Sequence, residues 1–572
     1  ETLLQLTDNG KIAAATIDDQ PRFSWRGLLL DPARRFLPLP VLKRQIDMMA
    51  AAKLNVLHLH LTDDQGWRFE SKHFPKLQQI GGADGFYTQA ELKQLVRYAA
   101  DRGIRVMPEI DLPGHTTALG AAYPEFMSQP GPARPEQHWG VHPAVLDPTN
   151  EKLYPFLQQL LAEVADVFPD PYLHIGGDEV LSDHWLATPH IVAFMQQQQL
   201  DDAPALQAYF NRRIQQILQQ LGRNMIGWDE VLDSNLPNSV LVQSWRGTES
   251  LYQAAAAGHK AILSTGYYLD QPQFAGYHYR NDPLLQTTAT DLTRLQQWSA
   301  WQFSFERLRG NAISGRLLLL NFQDGTVKGA IEFSGRKAVM LNDVVLNANT
   351  ISFNVDSWMG PLSAQFQLGA TLHGQLTVGN APYQVSGQAL ALQQGAPTAL
   401  PFNLQAPNIS EATRANILGG EITLWGELVT ADNIDIRLWP NGFAVAERLW
   451  SNAAVRDEKA LHRRMQHIAQ QLSSDSYLLH TAQQDAGFTA IAGKLAGRLT
   501  LLSEVLEPAH YYHRLHQKSV AKLYHQQAPL DQLADFLPAE NLQLRQFSQV
   551  TEDWLTNRQA ADSNWLLQKL QQ

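Results

Sequence analysis

The sequence predicts an α/β chain built on a (β/α)8 barrel of the TIM type, interrupted by an inserted antiparallel β domain and followed by a C-terminal helical region. Three observations carry this reading. Short apolar or β-branched runs alternate with longer amphipathic stretches eight times, whereas an open doubly wound sheet has about six strands. Between the seventh and eighth runs lie about 150 residues, far more than the roughly 2–6 of an ordinary βα connection. Within that gap hydrophobic residues recur at every second position, the period of a half-buried strand.

The eight runs, in order, occupy 25–31, 55–62, 105–111, 172–176, 224–228, 240–245, 260–265 and 420–425. Between them, 39–53, 89–102, 152–167 and 205–221 read as amphipathic helices, the first placing Val41, Leu42, Ile46 and Met49 near helical spacing. From Ser357 to Ser410 no Asp, Glu, Lys or Arg occurs, while Phe366, Leu368, Ala370, Leu372, Gly374, Leu376 and Val378 alternate with mostly polar neighbours. With Asp324-Gly325 as a hairpin turn, 305–405 reads as an antiparallel sandwich or small barrel. HRRMQHIAQQL, GKLAGRLTLLSEVL and DSNWLLQKL in the tail read as helices that only pack. The expected organisation is a short segment over 1–20, a barrel over 21–290 and 416–454, an insertion over 291–415 and helices over 455–572.

Composition narrows the chemistry. Hydrophobic residues at 44% and charged residues at 18% describe a globular protein with a substantial core. The absence of Cys removes disulfides, thiolate metal sites and cysteine nucleophiles together. A net charge of −11 would repel phosphate backbones, so nucleic acid is not expected as a partner. No apolar run reaches the ~18 residues of a membrane span, and the opening ETLLQLTDNG lacks the order of a secretion signal, as a processed N-terminus would.

Function in such a barrel sits where strands end and βα loops begin. Read this way, the strand ends carry Arg26 and Asp31, then Asp63 and Asp64, then Glu109, Asp111 and His115, then Asp178 and Glu179. The later ends supply Trp228-Asp229-Glu230, Trp245-Arg246, Tyr268 with Asp270, and Trp425-Gly426-Glu427. Any one carboxylate could be a helix cap, but repeated acids beside tryptophans point to one cavity. Tryptophan faces with carboxylates and Arg at the rim suit a sugar ring, which has an apolar face and a polar edge.

The pair Asp178-Glu179 follows two glycines, and neighbouring carboxylates in an enclosed site cannot both ionise freely. A charged Asp178 is expected to raise Glu179, making it a general acid. His58-Leu59-His60 places two imidazoles on one strand face, a spacing open to a metal-dependent hydrolase with Asp63 or Asp111, although strands five and six supply Trp rather than further ligands. A sugar-binding barrel without catalysis is the other alternative. No GxSxG, P-loop or GxGxxG follows a strand.

The string WRGLLLDPARRF, NVLHLHLTDDQGWRFE, RVMPEIDLPGH, YLHIGGDEV, MIGWDEV, VQSWRG, YYLD and LWGELV, in this order, resembles the glycoside hydrolase family 20 β-N-acetylhexosaminidases over roughly 21–285 and 417–452. The resemblance implies a retaining, exo-acting enzyme without cofactor or metal that removes terminal β-linked N-acetylglucosamine or N-acetylgalactosamine from oligosaccharides or glycans. The substrate's own acetamido oxygen would act as nucleophile, through an oxazolinium. It implies Glu179 as acid and base, Asp178 as the acetamido partner, and Trp228, Trp245 and Trp425 as walls. Tyr268 would bond the acetamido oxygen, Arg26, Asp270 and Glu427 would hold hydroxyls, and Asp63 with His115 would relay toward the acid. The His58/His60 pair is then structural. A periplasmic or secreted location is expected.

Two departures from the family pattern stand out. An α/β domain usually precedes the barrel, and here only 25 residues precede Arg26, so that surface is expected to be absent or removed. The insertion after Asp270 replaces the loop that often carries an aromatic residue for the leaving group, leaving Tyr279, Trp298, Trp301 and Trp358 as candidates.

Overall fold

The computed structural model describes residues 2–571 apart from 9–10, 235, 285–290, 308–311, 335, 358–359, 380, 396–399, 403, 405–408, 475–476, 509–520, 522 and 559. It divides into two compact units, one of residues 1–283, 412–508 and 521–572, the other of residues 284–411 and 509–520.

The first unit contains a closed parallel barrel of eight strands: β1 (Trp25–Leu30), β2 (Val56–His60), β3 (Arg105–Glu109), β4 (Tyr172–His174), β5 (Asn224–Trp228), β6 (Leu241–Ser244), β7 (Ala261–Leu263) and β8 (Ile417–Leu424). β8 pairs with both β7 and β1 and so closes the ring. All six residues of β1 are buried, as expected where helices cover the outer face of a parallel sheet. The helix Gln89–Ala100 shows how sequence sets a boundary: Thr88 and Glu91 form a capping box that satisfies its first backbone donors.

Side chains two residues apart on a strand share a face, and here that rule sorts the barrel interior by chemistry. Trp25, Val56, Met107, Ile226, Leu241 and Ile262 form one apolar cluster. Two residues further along their strands stand Gly27, His58, Glu109, Trp228, Gln243 and Ser264. The interior thus changes from apolar to ionisable toward the C-terminal ends, where the loops begin.

The second unit is a single nine-stranded antiparallel sheet running from Leu295 to Gln394. Its described strands form one sheet rather than two packed sheets. Strand Gly360–Leu368 alternates buried and more exposed positions throughout. Phe303, Phe333, Phe353 and Phe366 share one core with Ile351 and Leu376, which gathers residues from both halves of the sheet. At the Asp324-Gly325 turn, Gly325 has φ +80°, and the Thr326 N–H donates to Asp324 Oδ1 at 3.0 Å. Trp298 and Trp301 are 3% and 4% exposed inside this sheet.

After the barrel, helices Glu458–Ser474, His480–Ala492, Ala496–Ser503, Leu542–Asn557 and Ala560–Gln571 form the tail. Ile436, Phe488, Phe536 and Leu537 form its buried cluster against the last βα unit. No helix among the described residues is long and apolar enough to cross a membrane.

Candidate active site

Asp178 and Glu179 follow β4 in a loop whose backbone is unusual at three positions, with φ +65° at Gly176, +92° at Gly177 and +51° at Glu179. Gly176 is dictated by space as well as angle: a Cβ there would lie 1.8 Å from Asp111 Oδ1. The Gly177 N–H donates to that same oxygen at 3.2 Å, so the loop is seated on Asp111. Within it the two acids differ in access, the Asp178 side chain being 14% exposed and that of Glu179 40%.

His115 joins the two acids to the end of β2. Its Nε2 lies 3.8 Å from Asp178 Oδ2 and 3.6 Å from Glu179 Oε2, while Nδ1 faces Asp64 Oδ2 at 3.2 Å and Asp63 Oδ1 at 3.4 Å. Burial opposes a charge on His115, yet Asp63 and the surrounding carboxylates hold it well above its ordinary value. Asp63 is held well below the carboxylate range because Arg34 and His115 outweigh its burial. His60 continues the chain inward, with Nε2 at 2.7 Å from Asp63 and Nδ1 against Glu109. Glu109 also accepts from the Trp228 indole at 3.1 Å and lies 2.9 Å from His174. Opposing the cost of burial, Glu421 and Glu109 push His58 up to about 9.

The protonation of the acidic pair reverses the sequence expectation. Burial, with the charge of Glu179 added, raises Asp178 to about 7. Glu179 instead lies below its ordinary value, since the hydrogen bond and charge of His115 outweigh its burial. Of the two acids, Asp178 is therefore the one pushed toward the neutral form, and burial with the charge of Asp178 raises Asp111 beside it as well. Asp178 Oδ1 is buried with no hydrogen-bond partner among the described residues.

Two of the three tryptophans named from the sequence stand together. Trp228 and Trp425 are 5.8 Å apart, Trp425 also meets the His60 ring edge-on at 5.1 Å, and its indole donates to the Tyr268 hydroxyl. Trp245 donates to Glu230, an acid at the end of β5 that was given no role from the sequence. Burial and the charges of Asp178 and Asp229 raise Glu230 to about 8. Asp270 is 5% exposed and acts electrostatically on Tyr268.

Arg26 does not belong here. It lies next to inward-facing Trp25 at the start of β1, so it points away from the interior at the opposite end of the barrel. There it donates to the carbonyls of Lys53 at 2.8 Å and Phe23 at 2.6 Å and stacks on Trp450. The arginine at the site is Arg34, which bonds Asp31 at 3.0 Å and Asp63 at 2.9 Å, approaches Glu427 at 3.7 Å and lies over Trp425. The signal for it was its position three residues beyond Asp31, past the end of the strand.

Three of the four leaving-group candidates are occupied elsewhere. The Tyr279 hydroxyl is taken by Glu447 and the Val455 carbonyl, the Trp301 indole donates within its own sheet to Gly369, and Trp298 is buried in that sheet. Trp358 lies outside the described residues. Among groups able to take a cation, His58, Glu109 and His174 bring ligand atoms within 4.8 Å of one another, as do Asp111, His115 and Asp178.

The chain matches the family model described as glycosyl hydrolase family 20, catalytic domain, over residues 23–318 and 378–453. A β-hexosaminidase of Porphyromonas gingivalis is 39% identical over 301 residues, covering 50% of this chain and 37% of that protein. One from Vibrio furnissii is 38% identical over 300 residues, covering 48% and 49%. The crystal structure of a Flavobacterium johnsoniae chitobiase superposes with a TM-score of 0.71 at 29% identity, over 96% of this chain and 66% of that one. These matches span about a third to two thirds of the relatives' own lengths. With the family model covering more than half of its residues, the chain belongs to glycosyl hydrolase family 20.

Proposed function

We propose that this protein is an exo-acting, retaining β-N-acetylhexosaminidase working by substrate assistance on terminal N-acetylhexosamine residues of oligosaccharides. The observation that carries this reading is the buried, unpaired Oδ1 of Asp178 beside Glu179. A buried carboxyl oxygen with no partner costs stability, and a substrate acetamido N–H is a donor able to supply one. Its approach favours the charged form of Asp178. The proton that Asp178 gives up then moves to the neighbouring Glu179, which becomes the acid as the sugar is seated.

Glu179 protonates the glycosidic oxygen, the acetamido carbonyl oxygen attacks the anomeric carbon, and the bond to the leaving group breaks. The positive charge on the resulting oxazolinium is balanced by Asp178. Water, giving its proton to Glu179, attacks the same carbon from the vacated side and reopens the ring with retention. Trp228, Trp245 and Trp425 wall the acetamido group, and Tyr268 donates to its oxygen. Arg34, Asp270 and Glu427 hold ring hydroxyls, with Arg34 in the role the sequence gave to Arg26. Asp63 and His115 hold Glu179 in position. Each proton and electron pair comes from this chain, the sugar or water, so chelators should leave turnover unchanged. The proposed setting is periplasmic or extracellular, where such glycans are met.

The test is chromophore release from an aryl N-acetyl-β-glucosaminide against the plain aryl β-glucoside. The first should be cleaved at least ~100-fold faster, and comparable rates would remove the acetamido mechanism. Glu179→Gln should lose ~10²–10⁴-fold on an unactivated disaccharide, the range for a general acid. Asp178→Asn should lose most of kcat with a smaller change in KM.

A further inference from the structure

The tail was expected only to pack, yet one of its segments reaches the rim of the active site. Between Tyr524 and Ala528, both buried, the chain runs along the loops that follow β1, β2 and β3. The Gln526 N–H donates to the Gln137 carbonyl at 2.7 Å, and its side-chain amide shares its two hydrogens among Asp84 Oδ2 at 3.0 Å and the carbonyls of Arg34 at 3.1 Å and Gln65 at 3.2 Å. Arg35 clasps the segment from the other side, donating to the carbonyls of His525 at 3.3 Å and Ala528 at 3.0 Å and through Nε to that of Glu427 at 3.2 Å. The backbone groups held are therefore those of Arg34 and Glu427 themselves, together with Gln65, which follows Asp63-Asp64.

We propose that the Tyr524–Ala528 segment is a structural part of the active site, and that Gln526 and Arg35 are positioning residues that fix Arg34 and Glu427 against the hydroxyls of the bound sugar. This rests on the activity proposed above. The chemistry follows from the geometry. Arg34 and Glu427 come from opposite sides of the β8–β1 seam, and a hydroxyl held by both needs their separation fixed to a fraction of an ångström. The tail supplies a common backstop for both loops. Neither Gln526 nor Arg35 touches the reacting atoms, so their loss should weaken sugar binding and leave the proton chemistry intact.

The test uses the full chain with Gln526→Ala and Arg35→Ala, assayed on the aryl N-acetyl-β-glucosaminide and on its 3-deoxy and 4-deoxy analogues, with circular dichroism to confirm folding. KM should rise about tenfold in each variant, with kcat changed less than twofold and the pH profile unmoved. The penalty should shrink on the analogue lacking the hydroxyl that Arg34 and Glu427 hold, because two losses at one contact are not additive. Gln526→Glu keeps the side chain's length but sets a carboxylate against that of Asp84 and against two carbonyls, and should raise KM at least as much as Gln526→Ala. An active protein whose folded variants keep the parental KM, or show equal penalties on all three substrates, overturns this proposal alone. A parental protein inert on the aryl hexosaminide overturns the activity and this proposal with it. If both alanine variants fail to fold while Gln526→Glu folds with an unchanged KM, the segment is a packing element only.

Discussion

The proposed mechanism needs one proton on the Asp178-Glu179 pair, and this sets the pH dependence expected of turnover. Burial and the charge of Glu179 raise Asp178 to about 7, with Asp111 and Glu230 raised beside it, while His115 holds Glu179 down; on the proposed mechanism the competent state of the pair is the singly protonated one. Raising the pH through that value removes the proton, so kcat/KM, which reports the free enzyme, should fall roughly tenfold per unit above about 7. A pH–rate profile on the aryl substrate checks this, and a flat response from about pH 6 to 8.5 would contradict the shared proton. Which acid carries it was not legible in the sequence, because adjacency says that two carboxylates interact but not which is the more enclosed or which faces His115. The confusion of Arg26 with Arg34 has a plainer cause. Five residues of strand, at about 3.3 Å each, put Arg26 and Asp31 some 16 Å apart at opposite ends of β1, and only the Asp31 end faces the loops.

At the level of elements, the barrel strands were readable as short apolar runs, because both faces of a parallel sheet are covered, and the insertion's strands by the period-two alternation that strand geometry imposes. The same rule explains why His58 and His60 stand above Val56, and Glu109 above Met107. The charges that these side chains exchange inside the barrel were not readable, since Glu421 and His58 meet across 363 residues of sequence. The β4 loop combines both kinds of information: its two glycines were visible, and their necessity comes from Asp111. Gly176→Ala should therefore do more than strain the backbone at φ +65°, which costs ~1–2 kcal/mol. Its methyl group would displace Asp111 and with it the Gly177 amide and the acidic pair, so kcat/KM should drop about 100-fold. A comparison with Gly103→Ala, at φ +71° and with nothing within 4 Å of the added carbon, separates strain from collision. That variant should lose stability and keep its kinetics.

On the scale of the whole molecule, the insertion has its own core of Phe303, Phe333, Phe353 and Phe366 and is cut from the barrel sequence between Leu284 and Glu411. Units with separate cores need not melt together. Scanning calorimetry should resolve two transitions, and N-acetylglucosamine should raise only the one belonging to the barrel, in proportion to RT ln(1 + [L]/Kd). A single transition that shifts as a whole would show the two units to be cooperative. The position of that insertion also orders events during synthesis. β1 and β7 remain two unpaired sheet edges until β8 is made, roughly 150 residues after β7. At the ~5–20 residues per second of a ribosome, the nascent ring stays open for about 8–30 s with its tryptophan-lined interior accessible. The order of segments therefore makes this a chain whose yield in a cell depends on what shelters an incomplete barrel, and translation halted before Ile417 should leave a product prone to edge-to-edge aggregation.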